Sequence, residues 1–229
     1  MKSKKINIRK TILAFFLITA AVHTLYATDF FGAGFYSQSL TQGWNPYRWI
    51  EYGITASLMV SVIAPLSGMR EVNSVALVVA STAALQGVGY IVEKSLKAGS
   101  DFNFNSVIAS TLIGWGLLIS SWKVILGSFF AALKDAKKIE VAPGKFVEIP
   151  KWIWAIGIVQ MIFFASFGLI QLHQCIQMSK NNSTEFNFLN TEQSYILLSL
   201  FSKATLASVL AYGLVGRNSD KVKKTTLDN

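Results

Sequence analysis

The chain is short of charge. Of its 229 residues only 14% are Asp, Glu, Lys or Arg, against about 25% in a soluble globular domain, and the shortage argues against one. A single cysteine, Cys175, excludes an internal disulfide and gives no hint of a structural zinc site. Four prolines and 16 glycines exclude a collagen-like or low-complexity chain. No Walker, zinc, hydrolase-elbow or dinucleotide motif occurs, and nothing marks the chain as an enzyme. Acids are also scarce, 12 against 21 bases, which leaves a net charge of +9. In a chain this apolar the excess reports loop orientation and contact with anionic lipid, not nucleic acid.

What the chain does have is apolar length. Hydrophobic residues make up 52%, gathered in runs of roughly 20 to 29 residues, enough for a helix to cross a bilayer core. They fall at 9–28, 46–66, 72–93, 104–132, 150–177 and 193–215. Lipid forces backbone groups to bond within their own segment, so each run is read as a helix. The fold class is therefore all-α: a polytopic transmembrane helix bundle, one membrane domain over 1–229, ending in a disordered, solvated tail over 216–229. No internal repeat or extramembrane domain is visible. The fourth run is long for one crossing, so its end from Ser121 is expected to emerge into water or lie at the interface. Pro46 suits a helix start, and Pro65 marks an exit or a kink. Trp44, Tyr47, Trp49, Trp152 and Trp154 lie near span ends, where an interfacial aromatic belt would place them.

Six crossings put both termini on one side, with the second and fourth loops. That side collects 16 of the 21 basic residues, including Lys2, Arg9, Arg70, Lys134, Lys145 and Arg217. The other side has four, Arg48, Lys94, Lys97 and Lys180, and Lys203 lies inside a span. The division predicts cytoplasmic termini. Asn181 and Asn182, each opening an Asn-x-Ser/Thr triplet, would then be external glycosylation acceptors in a eukaryotic host. The basic start and the apolar stretch to Val22 also resemble a signal peptide, but no good small-x-small cleavage site follows, and the span is read as retained.

Ionisable residues inside the spans carry the most information, because a charge at mid-membrane costs at least ~2.5–3.5 kcal/mol on insertion scales. Lys203 stands about ten residues from either end of the last span, ~15 Å from both interfaces. It must be neutral, paired, or no longer a free amine. A desolvated lysine loses its proton readily, and its neutral amine condenses with an aldehyde to a Schiff base. Glu51 is the acid read as lying well inside a span, and its depth differs from that of Lys203 by ~7 Å, within reach of a lysine side chain. Ser199 lies one turn before Lys203, and Thr55 one turn beyond Glu51, each on the same helix face. A Lys–Glu pair of this kind is also what a structural clamp or a transporter pathway would use. Trp115, Phe163, Phe164 and Phe167 could flank a flat ligand, or simply pack. His23 and His173 read as core or interfacial histidines, and Gly114-Trp115-Gly116 as a weak close-approach signal.

At these residues the chain resembles a known family. Arg48-Trp49-Ile50-Glu51-Tyr52, continuing through Ala56-Ser57-Leu58-Met59-Val60, resembles the third-helix signature of heliorhodopsins. Ser194-Tyr195-Ile196-Leu197-Leu198-Ser199-Leu200-Phe201-Ser202-Lys203 resembles their seventh helix, with the retinal lysine in register. Gly114-Trp115-Gly116-Leu117-Leu118-Ile119 and Ser166-Phe167-Gly168-Leu169-Ile170-Gln171 are similar to the fifth and sixth helices, and His23 falls near the histidine of the second. The resemblance implies all-trans retinal on Lys203 as a protonated Schiff base, with Glu51 as counterion and Ser199 as hydrogen-bond partner. It implies a homodimer in the lipid bilayer, acting on an unidentified signalling partner. It further implies seven helices and an external C-terminus. The six spans match helices two to seven, so a bundle lacking the first helix is expected, and the charge division opposes the family's orientation. Three functions compete: a retinal-binding light sensor that does not pump ions, a light-gated proton channel or transporter, and a chromophore-free membrane scaffold or accessory protein.

Overall fold

The computed structural model describes residues 7–28, 30, 34–96, 104–135, 139–142, 145–147, 151–180 and 188–227. Its helices are α1 (Ile8–Ala27), α2 (Phe35–Thr41), α3 (Pro46–Leu66), α4 (Val72–Leu96), α5 (Phe104–Asp135), α6 (Lys151–Lys180) and α7 (Phe188–Leu227). All but α2 are long and apolar enough to cross a membrane. Between α5 and α6 lies a two-stranded antiparallel hairpin, β1 (Ile139–Ala142) and β2 (Lys145–Val147), which the hydrophobic runs did not reveal.

Local chemistry sets the helix ends. Asn7 and Asn45 are N-caps whose side chains accept from the backbone N–H of Lys10 and Arg48, satisfying donors that a helix start leaves free. Pro46 occupies the first position of α3, where its missing N–H costs nothing. At the other end Met69 N–H donates to Ala64 O and Gly68 N–H to Pro65 O, the paired bonds of a Schellman stop. Pro65 therefore marks an exit, not a kink. Gly68 holds φ +90°, and a Cβ there would lie 2.8 Å from the Cβ of Ala132 on α5.

Helix α3 is the axis of the bundle. Ten of its residues are buried, Arg48 at the start and Ala64 near the end. Along its second half Met59, Val60 and Ile63 pack in one cluster with Phe15 of α1, Trp122 and Ile125 of α5, Phe164 of α6, and Leu206 and Leu210 of α7. The outer faces are apolar too, with Leu13, Leu17, Leu112, Ile113, Leu197 and Phe201 exposed. That inversion suits lipid, where helices associate through close packing and buried polar bonds and not through a hydrophobic drive.

From Ser121 onward α5 continues unbroken with Trp122, Ile125 and Phe129 buried, and its 32 residues rise ~48 Å, more than a ~30 Å bilayer core. Two expectations need correction. The stretch over 216–229, expected to be a disordered tail, is helical through Leu227. No Gly or Pro interrupts residues 217–227, and extending an existing helix avoids the cost of nucleation. Trp49 does not join an aromatic belt; it is buried. The side chains of Trp152 and Trp154, and the Asn181–Asn182 acceptors, lie outside the described residues.

The Gly68 turn is directly testable. Gly68→Ala is expected to lower stability by at least about 1–2 kcal/mol, the cost of a left-handed non-glycine residue, with the clash against Ala132 added. Thermal unfolding in lipid or detergent measures it, and a wild-type midpoint would refute the account.

Candidate functional site

The two sides of the site are polar stripes on facing helices. On α3 the residues are Arg48, Glu51, Tyr52 and Thr55; on α7 they are Glu192, Tyr195, Ser199 and Lys203, spaced three and four apart so that each set shares a face. All eight are buried. They join at two levels.

At the inner level Lys203 Nζ donates to Glu51 Oε1 at 2.9 Å and to Ser199 Oγ at 2.5 Å. Thr55 Oγ1 donates to the same carboxylate oxygen at 3.2 Å. So does Thr19 Oγ1 of α1, at 2.6 Å. Lys203 and Glu51 are both about 3% exposed, so their charges survive only by mutual pairing and by these hydroxyls. The lysine amine also lies 5.2 Å above the Tyr52 ring.

A cavity opens from this pair. About 700 Å³ including the space at its mouth, it has Lys203, Ser199, Ser202 and Thr55 at its polar end. Its walls include Trp115, Phe164, Phe167, Met59, Leu85, Trp49 and Tyr52, with Gln86, Thr111 and Gln171 as further polar groups. An apolar wall with a few polar groups is the usual make-up of a small-molecule site.

At the outer level sits a cluster that span reading missed. Arg48 pairs with Glu93 of α4 through Nη2 and with Glu192 of α7 through Nη1. Glu93 also accepts from Asn45 N–H at 2.9 Å and Trp49 Nε1–H at 2.7 Å. Glu192 accepts from Asn45 Nδ2–H at 2.7 Å and from Tyr36 O–H of α2 at 3.4 Å. Burial, with the Glu192 charge beside it, holds the Tyr36 hydroxyl above the ordinary tyrosine range, so it remains a donor. Two carboxylates and one guanidinium leave a formal charge of −1. The first turns of α3 and α7 meet here, and their positive ends favour that charge, while the negative end of α4, whose last turn holds Glu93, opposes it. Tyr52 O–H donates to the Tyr195 carbonyl at 3.0 Å, and the Arg48 guanidinium lies 4.0 Å over the Tyr195 ring. The two levels are thus joined through Tyr52 and Tyr195.

Lys203, Glu51, Ser199, Thr55, Trp115, Phe164 and Phe167 converge on the pair or its cavity. Phe163 does not: it neighbours Phe164 on α6, about 100° around the helix, and is absent from the wall. His23 does not either; on α1 it meets the edge of Tyr26 at 5.6 Å. Glu51 is not the only buried acid, since Glu93 and Glu192 are as deeply buried. Arg48, counted as a loop base, belongs to their cluster. Thr19 was missed because hydroxyls are common in spans and carry no charge to betray them.

A bundle of membrane-spanning helices with a buried lysine–carboxylate pair at the end of an aromatic cavity has the plan of a rhodopsin-type membrane protein. A family model described as Heliorhodopsin matches residues 2–215. The chain belongs to the heliorhodopsin family, whose members are rhodopsin-type, light-sensing membrane proteins with a retinal chromophore. No curated protein matches it. The residues present fit such a group, offering an amine at the closed polar end of a cavity with flat aromatic walls.

Arg48 supplies the clearest structural test. Arg48→Gln leaves two buried carboxylates without a cation, and removing one partner from a buried ion pair typically costs about 3–5 kcal/mol. Denaturant or thermal unfolding is expected to show a loss of that order. A loss under about 1 kcal/mol, the scale of an exposed pair, would mean the cluster is solvated.

Proposed function

We propose that this chain is a light sensor of heliorhodopsin type, in which Lys203 carries all-trans retinal, Glu51 is the counterion, and no ions are pumped. The supporting observation is the Lys203 amine, held 2.9 Å from Glu51 at the end of the cavity. When bound, the chromophore supplies visible absorption and a change of shape on isomerisation. The protein supplies the rest. Glu51 sets the proton affinity and colour of a cation at Nζ, because opposite charge at this distance favours the protonated form. Thr19, Thr55 and Ser199 fix the carboxylate and the amine. Trp115, Phe164 and Phe167 flank the chain of the ligand and keep water out.

What favours a sensor over a pump or proton channel is the one-sided placement of buried titratable groups. Among the described residues, the buried titratable side chains Arg48, Glu51, Tyr52, Glu93, Glu192, Tyr195 and Lys203 lie level with Lys203 or towards the start of α3. Towards the other end stand Met59, Ile63, Phe15, Trp122, Leu206 and Leu210, which offer a proton nothing to bind.

Pigment formation tests the assignment. The full chain with all-trans retinal is expected to give a visible band that hydroxylamine bleaches in light, and Lys203→Ala none. A band surviving in that variant would end the Lys203 assignment. Glu51→Gln is expected to shift the band to the red or lower the proton affinity at Nζ, and an unchanged spectrum and titration would remove Glu51 as counterion. Absence of any band from folded wild type would favour a chromophore-free scaffold, and photocurrents under voltage clamp a channel.

We further infer cytoplasmic termini, with a homodimer as the working unit. Moving Arg48 from the four loop bases into the buried cluster leaves three, against 16 on the terminal side, which sharpens the asymmetry. A C-terminal tag is expected to be reachable only from the cytoplasmic face; labelling of intact cells from outside would reverse the orientation.

A further inference from the structure

Trp49 belongs to both levels of the site. It lines the cavity that ends at Lys203, and its Nε1–H donates at 2.7 Å to Glu93 in the outer cluster. Its ring has little freedom. Tyr52 and Tyr195 meet it edge to face at 6.4 and 5.9 Å. Behind it the backbone of α4 comes so close that a Cβ on Gly89 would lie 2.2 Å from its Cζ3. In a close-packed interior a ring so confined does not absorb a push by deforming its surroundings; it moves as a body.

Beyond the indole the bonds run outward in one direction. Glu93 shares Arg48 with Glu192. Glu192 accepts from Tyr36, whose ring stacks on Tyr26 at 4.3 Å with the planes 1° apart. Those two contacts tie α2, at one end of the bundle, to the cluster and to α1.

We propose that Trp49 transmits the state of the cavity to the Arg48–Glu93–Glu192 cluster and, through Tyr36, to α2, making the α2 end of the bundle the surface where a signal leaves the membrane. The proposal rests on the cavity being the chromophore site. Trp49 acts here as a positioning residue. A ligand that fills or reshapes the cavity displaces the indole and lengthens its bond to Glu93. Glu93 then lacks one donor, and a buried acceptor left short is costly. Arg48 compensates by moving towards Glu93 and away from Glu192, and Glu192, left short of a donor in its turn, changes its hold on Tyr36. The bistable element is the sharing of one guanidinium between two carboxylates, which both ends bias.

Hydrogen exchange on the full chain in lipid nanodiscs tests this over residues 35–48. The probes are all-trans retinal, in the dark and after illumination, and all-trans retinol, an alcohol that can fill the cavity without condensing with Lys203. Either ligand, or light on the retinal form, is expected to change exchange in this segment several-fold in wild type. Trp49→Phe, which keeps a ring but removes the N–H, is expected to abolish that change when compared with wild type at matched retinoid occupancy, read from bound absorbance. Gly89→Ala, which drives the ring forward and alters no polar group, is expected to change exchange in α2 before any ligand is added. A pigment that forms while residues 35–48 stay silent overturns this proposal and leaves the chromophore assignment intact. An equal response in Trp49→Phe also overturns it. Failure of folded wild type to bind either retinoid overturns both.

Discussion

A lysine and a glutamate held at mid-span govern the rest of this bundle. At 2.9 Å their attraction is about 6 kcal/mol for an effective dielectric near 20, while burial costs several kcal/mol for each ion. The two roughly cancel, so the pair is no net source of stability. What it does is fix geometry. Lys203 and Glu51 must face each other across α3 and α7 or neither charge is tolerable, and that sets the register of the two helices. With the register set, Tyr52 falls on the Tyr195 carbonyl and Arg48 falls on Glu192.

The outer cluster answers the same constraint differently. Its formal charge of −1 is not neutralised by a second cation among the described residues but spread over six donors: two from Arg48, two from Asn45, one each from Trp49 and Tyr36. Each donor comes from a segment at one end of the bundle, so the cluster ties α2, α3, α4 and α7 together there. Asn45 does most to make this work, since as the cap of α3 it places backbone and side-chain N–H groups between the two carboxylates.

The sequence revealed these features unevenly, for physical reasons. The spans were legible because lipid permits little but a long apolar helix. Lys203 and Glu51 were legible because a charge far inside such a span is conspicuous, and the depth argument that paired them needed only the helical rise. Glu93 and Glu192 were hidden by position: each stands within about a turn of where apolar character fades, and a charge there reads as solvated. The fold buries them because α4 runs on to Leu96 and α7 starts as early as Phe188. Phe163 was inseparable from Phe164 because adjacent positions in a uniformly apolar helix carry no signal of rotation. A seven-residue α2 has too few turns to show a period, and its purpose, bringing Tyr36 to Glu192, depends on a contact 156 residues away in the chain.

The asymmetry about Lys203 bears on function more than either cluster does alone. One side is a connected set of charges, hydroxyls and aromatic rings; the other is aliphatic and aromatic packing around Met59 and Ile63, with Ser121 beside Trp122 but no buried titratable group among the described residues. A change of charge or shape at the lysine therefore meets polar partners able to rearrange in one direction and a close-packed plug in the other. Such a plug resists both proton entry and small displacements. Vectorial transport needs a route on both sides of the switching charge, whereas a signal needs only one side that yields and one that holds still. The packing of α3 separates these demands along a single helix: its first half bears the groups that can change partners, and its second half anchors them.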